Sequence, residues 1–286
     1  MKYNDKAQLD PSQMGGGGRR GAGGKIALGG GGGLVVLILA LVLGLNPDDL
    51  TGSSQAPAGT GDTSTPFAQC TTGADVARDR SCRFVAFTNS MQSFWGGELE
   101  GYQRITVNTF TGSVNTACGN ATSAVGPFYC SGDTSIYLDL GFFDQLTAEL
   151  GAKGGDAAEA YVLAHEFGHH IQNLMGTMGQ VRTQKGADSD AVRLELQADC
   201  YAGVWFKNAN ADPGSPISEV TREDLEVAVD AAAAVGDDRI QQKMQGQVSP
   251  ETFSHGSAAQ RQRWLNQGFS SGDPNACDTF AKTALD

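Results

Sequence analysis

The stretch Ala164-His165-Glu166-Phe167-Gly168-His169-His170-Ile171-Gln172 decides how the rest of the chain is read. His165 and His169 are four residues apart, so on a helix they share one face, about 40° apart around the axis. Two imidazoles on one face can point at a single metal ion. Glu166 follows His165 directly, so its carboxylate flanks that ion instead of joining the row. Two neutral nitrogens suit Zn²⁺, and a carboxylate beside it can take a proton from water at the ion. His-Glu-x-x-His on a helix is the pattern that metalloproteases use. The alternative is a chance match on a surface helix. Against it stand Tyr161, Val162, Leu163, Phe167, Ile171 and Leu174, which surround the polar face with apolar residues. Two histidines and a glutamate inside such a helix are costly unless they have partners. Asp156 with Glu159 reads as a capping pair at its start.

Two histidines do not complete a catalytic zinc site, which usually has three protein ligands plus water. The stretch Val192-Arg193-Leu194-Glu195-Leu196-Gln197-Ala198-Asp199-Cys200-Tyr201-Ala202 has helical periodicity, with Glu195 and Asp199 on one face. Two carboxylates on an otherwise apolar face repel unless a cation lies between them. The economical assignment makes Glu195 the third ligand, with Asp199 accepting a hydrogen bond from the free ring nitrogen of a ligating histidine. The bland alternative is a solvated acidic stripe.

His-Glu-x-x-His followed by Glu-x-x-x-Asp on a second helix resembles the gluzincin, or thermolysin-like, metallopeptidases. The local wording is similar to the neutral zinc metallopeptidase family of bacteria: the stretch from His165 to Gln172, then Glu195-Leu196-Gln197-Ala198-Asp199-Cys200, Ala117-Cys118-Gly119, Gly126-Pro127-Phe128-Tyr129-Cys130, Tyr137-Leu138-Asp139 and His255-Gly256. The resemblance runs from about Thr88 to the C-terminus. It implies that a strand beside the metal helix pairs with the substrate backbone. It also implies that a histidine outside the zinc motif donates to the developing oxyanion. His255, in Phe253-Ser254-His255-Gly256-Ser257, is the only one of four histidines free for that role. A loop histidine bonding nearby backbone is the alternative. His170 is turned about 100° from His169, so it is expected to pack or to bond behind the ligands.

The net charge is −12, from 20 basic and 32 acidic residues, which argues against a nucleic-acid partner. Residues 1–25 are polar and glycine-rich and are expected to be a disordered cytoplasmic tail. Residues 26–45 carry no charge and would span about 30 Å as a helix, so they read as a single transmembrane helix. Lysines and arginines precede it, which puts the N-terminus in the cytoplasm and the catalytic domain outside, at the cell membrane. A cleaved signal peptide is the rival reading. Residues 46–66 read as a flexible linker and residues 67–286 as the metallopeptidase domain.

All six cysteines follow the apolar segment, and an even number suggests disulfides. Of the possible connectivities the favoured one is Cys70 with Cys82, Cys118 with Cys130, and Cys200 with Cys277; a buried free thiol at Cys200 is the alternative. Residues 74–91 read as a helix, and residues 103–110 and 135–140 as strands. Thr221 with Asp224 and Ser257 with Gln260 read as capping boxes of later helices.

The expected fold is therefore α+β: a zincin-like helical body with a small antiparallel sheet, behind a transmembrane helix and linker. The expected function is hydrolysis of peptide bonds in peptides or proteins, with His165, His169 and Glu195 on Zn²⁺, Glu166 as general base and His255 assisting. Two alternatives stay open: a zinc amidase acting on cell-wall polymer, and a non-enzymatic membrane-tethered module with a closed zinc site.

Overall fold

The computed structural model describes residues 1–16, 67–281, 284 and 285. Strand β1 is Lys2–Tyr3 and β2 is Met14–Gly16. Helix α1, Arg80–Glu98, starts where Asp79 accepts a hydrogen bond from the Ser81 amide. Strands β3 (Thr106–Phe110), β4 (Ser113–Thr116), β5 (Gly119–Thr122), β6 (Phe128–Cys130) and β7 (Ser135–Asp139) follow. Then come α2 (Phe142–Ala148), α3 (Asp156–Leu174), α4 (Asp190–Asn208), β8 (Ile217–Glu219), α5 (Arg222–Ala234), α6 (Asp237–Gln245) and α7 (Ala258–Ser271).

Helix α3 carries the His-Glu-x-x-His stretch and α4 carries Glu195 and Asp199. Helix α4 starts at Ser189, whose side chain accepts from the Val192 amide. It is sandwiched between α3 and α7. Trp205, Tyr161, Phe167 and Phe206 are fully buried in the main core. The helices can approach because glycines stand at the crossings. A Cβ on Gly168 of α3 would lie 2.8 Å from Ala198 Cα of α4, and one on Gly268 of α7 would strike the Cys200 carbonyl. A closer backbone approach permits denser contact than any side chain there would. The expected boxes are present: Thr221 with Asp224 opens α5, and Ser257 with Gln260 opens α7.

The reading of Asp156 and Glu159 as a cap is corrected. The first residue before α3 is Gly155, which makes no side-chain cap. Glu159 instead pairs with Arg80 at 2.7 Å, and Asp156 with Arg83 at 2.7 Å, both on α1. Charge pairing across two packed helices has taken carboxylates that local spacing assigned to the backbone. The expected helix over 74–91 is likewise divided, with a 3₁₀ turn at Gly73–Ala77 before α1 begins.

The sheet is not the small antiparallel one expected. Its order is β2-β3-β7-β6, with β2–β3 and β3–β7 parallel and only β6–β7 antiparallel. The β4–β5 hairpin stands apart as its own pair. Strands β3 and β7, the two expected from sequence, are interior. The edge beside α3 is β6, which glycine and proline on either side had disguised as a loop.

The N-terminal reading is also corrected. Residues 1–16, expected to be disordered, pack on the body. Tyr3 pairs with Ile217, Met14 with Val107, and Leu9 and Met14 are buried in the main core. Ladder hydrogen bonds to partners far along the chain order a segment whose own composition could not. This overturns the single-pass topology. Strand β2 shares a sheet with β3, so the N-terminal segment lies on the same side as the domain, and one crossing between them cannot part them. Among the described residues no helix is long and apolar enough to cross a membrane. The proposed span 26–45 and linker 46–66 lie outside the described residues.

All three disulfides form as expected: Cys70–Cys82, Cys118–Cys130 and Cys200–Cys277, with no free cysteine among the described residues. The last ties α4 to the C-terminal segment.

Candidate metal centre

Helical spacing on α3 and α4 brings His165, His169 and Glu195 together, with one ligand atom from each lying within 4.8 Å of the others. His165 Nε2 is 3.1 Å from Glu195 Oε2, and His169 Nε2 is 3.5 Å from Glu195 Oε1. Ligands about 2.0–2.1 Å from a tetrahedral ion stand about 3.3 Å apart, so this spacing fits zinc. The outer ring nitrogens are both occupied. His165 Nδ1 lies 2.9 Å from Asp199 Oδ1, and His169 Nδ1 lies 2.9 Å from Gln172 Oε1. Each neutral ring therefore keeps its Nε2 lone pair for the centre.

The electrostatics ask for a cation at that point. Burial works against charge on Glu195, yet His169, His165 and His255 outweigh it and hold the carboxyl well below the usual range. Burial also opposes a charged His165, but Asp199 and Glu195 win and push it up to about 9.

Glu166 stands beside this group. Burial raises its pKa, with the neighbouring histidines pulling the other way. The Tyr129 amide of β6 hydrogen-bonds the carboxylate, while Oε2 is buried with no partner among the described residues. A buried unpartnered carboxylate oxygen is unfavourable and rarely kept without a use. Glu166 lines a cavity of about 80 Å³ together with His165, His169, Glu195, His255 and Arg261. Its remaining walls are apolar, chiefly Val125, Phe142, Val162 and Val235.

His255 reaches the cavity from the loop before α7 and is held by Asp237. The Asp237 carboxylate accepts the amides of Ser254, His255 and Gly256 at 2.7, 2.7 and 3.1 Å, and lies 3.3 Å from His255 Nδ1. Burial resists charge on Asp237, but His255 and these amides hold its carboxyl below the ordinary value.

His170 is not a fourth ligand. Its Nε2 donates to the Gln103 carbonyl at 2.6 Å, and its Nδ1 lies 3.1 Å from the Tyr129 hydroxyl. It ties α3 to the sheet. The group has three side chains that could hold a metal and a cavity in front of it, so it is open.

Two residues of the site were not foreseen. Arg261 of α7 grips Asp199 with both ends of its guanidinium, Nε to Oδ2 at 2.8 Å and Nη2 to Oδ1 at 3.0 Å. Tyr161 donates its hydroxyl to Asp199 Oδ1 at 2.6 Å and accepts from Arg261 Nη2 at 3.0 Å. Burial opposes ionisation of Asp199, yet Arg261 and His165 keep its carboxyl low. Asp199 is thus no solvated stripe: it is fully buried and saturated with donors. A signal for Arg261 exists in the sequence. It stands on the stripe of Ala258, Trp264 and Leu265, where a buried arginine demands a carboxylate.

The comparisons agree with this geometry. The family described as "Putative neutral zinc metallopeptidase" matches residues 4–280, which extends the likeness back through β2. The uncharacterized protein Rv2575 of Mycobacterium tuberculosis is 50% identical over 294 residues, covering 100% of both chains. The uncharacterized protein YpfJ of Escherichia coli K12 is 39% identical over 260 residues, 86% of each chain. No solved structure matches. With two helices meeting at three side chains that could hold a metal and a family match over nearly its whole length, this chain belongs to the neutral zinc metallopeptidase family.

Proposed function

We propose that the chain is a zinc-dependent peptidase that cleaves peptide bonds of peptides or proteins. The observation that carries this is the unpartnered Oε2 of Glu166, buried beside an open group of three metal-binding side chains. His165, His169 and Glu195 would hold the ion. Bound there, zinc would polarise the scissile carbonyl and acidify water.

The chain's own residues then divide the work. Glu166 accepts the proton from the attacking water at Oε2 and delivers it to the amine nitrogen as the carbon–nitrogen bond breaks. Its raised pKa brings it nearer neutrality, which suits a group that must both take and give a proton. His255 stands across the cavity. Its Nδ1 lies 3.3 Å from Asp237 Oδ1, and that contact orients the ring. It can then stabilise negative charge growing on the former carbonyl oxygen. Strand β6 is one edge of the sheet, and Val125, Gly126 and Pro127 leading into it line the cavity. An extended peptide laid along that edge gains main-chain hydrogen bonds that do not depend on its sequence. The apolar walls favour an aliphatic or aromatic side chain beside the scissile bond.

The test is Glu166→Gln in the full chain, assayed for zinc content and for cleavage of a peptide library. Zinc should stay and cleavage should fall by about 10²–10⁴-fold, the usual worth of a general base. Loss of zinc would make Glu166 a ligand, and retained cleavage would end its role as base.

A further inference from the structure

Behind His169 two side-chain amides stand in line. Gln172 Oε1 accepts from His169 Nδ1 at 2.9 Å. Gln172 Nε2 donates to the Leu194 carbonyl at 2.6 Å and to Gln197 Oε1 at 3.1 Å. Gln197 Nε2 donates in turn to the Cys277 carbonyl at 2.9 Å. Gln172 and Gln197 are both buried. An amide has one end that donates and one that accepts, so each orientation dictates the next. A backbone carbonyl can only accept. Cys277 therefore turns the Gln197 nitrogen toward itself, which turns the Gln197 oxygen toward Gln172. The Leu194 carbonyl turns the Gln172 nitrogen the same way, so the two acceptors together place the Gln172 oxygen against His169, keep the ring proton on Nδ1, and leave Nε2 free for the metal centre.

The carbonyl at the head of this line is held in place. Cys277 is bonded to Cys200 of α4. The segment beyond it is laced to the same helix, with Thr279 Oγ1 donating to the Arg193 carbonyl at 2.6 Å and Arg193 Nη1 donating to the Thr279 carbonyl at 2.7 Å. Asp199 holds His165 with a single carboxylate. His169 depends on a chain of neutral groups that ends in a disulfide-pinned strap.

We propose that Gln172 and Gln197 are positioning residues for His169, and that the Cys200–Cys277 disulfide sets the metal affinity through them. This rests on His165, His169 and Glu195 holding zinc.

The zinc dissociation constant, measured by chelator competition, and the cobalt absorption spectrum of the full chain test it. The variants are Gln172→Met, Gln197→Met, Cys200→Ala with Cys277→Ala, and the last two combined. Gln172→Met should weaken zinc by about 10–100-fold and shift the cobalt spectrum, as loss of a partner behind a ligand does. Gln197→Met and the cysteine pair should each act in the same direction by a smaller factor. Combined, they should weaken zinc no more than the larger of the two, since they break one line. Parent-like affinity and an unchanged cobalt spectrum in Gln172→Met would overturn the proposal, as would a mere fall in melting temperature. Independent, multiplying effects of Gln197→Met and cysteine removal would also overturn it. Should Gln172→Met fail to fold, the Gln197→Met and cysteine arms decide alone. A parent chain that binds no zinc would defeat the metal reading itself, an outcome distinct from the others.

Discussion

Gly168 of α3 lies against Ala198 of α4 with no room for a methyl group between them: an added Cβ would sit 2.8 Å from Ala198 Cα and 3.0 Å from its carbonyl oxygen. Gly168 immediately precedes His169, and Ala198 immediately precedes Asp199. The contact therefore sets the gap across which His165 and His169 face Glu195.

Gly168→Ala should force α3 and α4 apart. A helix gains slightly from alanine in place of glycine, so any destabilisation reports the clash. We expect a loss of about 1–3 kcal/mol, the range for overpacking, together with weaker zinc binding. Denaturant melts and chelator competition check it. A variant as stable and as zinc-avid as the parent would mean that the helices are not held at this distance.

Arg261 and Asp199 form a buried ion pair. Arg261→Leu leaves Asp199 charged and short of two donors, so it should destabilise the chain by about 3–5 kcal/mol. Asp199→Asn should weaken zinc about 10–100-fold by loosening His165. The double change should lose much less than the sum, because neither partner is left stranded. An additive double mutant would show that the two do not act as a pair.

His255→Ala should lower kcat by about 10²–10³-fold, the effect of removing one oxyanion donor, with zinc content and KM little changed. Steady-state kinetics with metal analysis separates the cases. Lost zinc would make His255 a ligand, and an unchanged kcat would leave it as a loop anchor alone.

Asp237 makes stability depend on acid. Its folded pKa lies below the ordinary carboxylate value, because His255 and three amides prevail over burial. Its contribution is present above the unfolded pKa, about 3.9, and drains away as pH falls through the lower folded value. Asp237→Asn should be less stable than the parent at pH 7 by about 1–3 kcal/mol, the penalty for donors left poorly paired. That gap should shrink once the pH drops below about 4. Melts from pH 7 to 3 decide it: a gap of constant size would remove the charge from the account.

The parts of this site that could be read from sequence are those where spacing alone forces a meeting. His165 with His169, and Glu195 with Asp199, are helical neighbours whatever else the chain does. Arg261 escaped notice because an arginine is ordinarily solvated even beside an apolar stripe, and its carboxylate partner is 62 residues away. Strand β6 escaped because three residues between a proline and a turn carry no periodicity. Asp156 and Glu159 were legible as acids at a helix start, but Arg80 and Arg83 compete for them more strongly than the backbone does. Residues 1–16 have few apolar side chains to announce a fold, and their order comes from strands they cannot know of locally.

That last feature has a cost in time. Lys2 reaches its ion-pair partner Glu219 across 217 residues of chain, and Met14 pairs with Val107 only after the strand between β2 and β7 exists. Closing such long loops is slow, since their entropy must be overcome before any contact rewards it. During synthesis Lys2 and Tyr3 must wait, unpaired, until β8 has been made. The seam that joins these two residues to β8 therefore closes late, and on gentle unfolding it should open early.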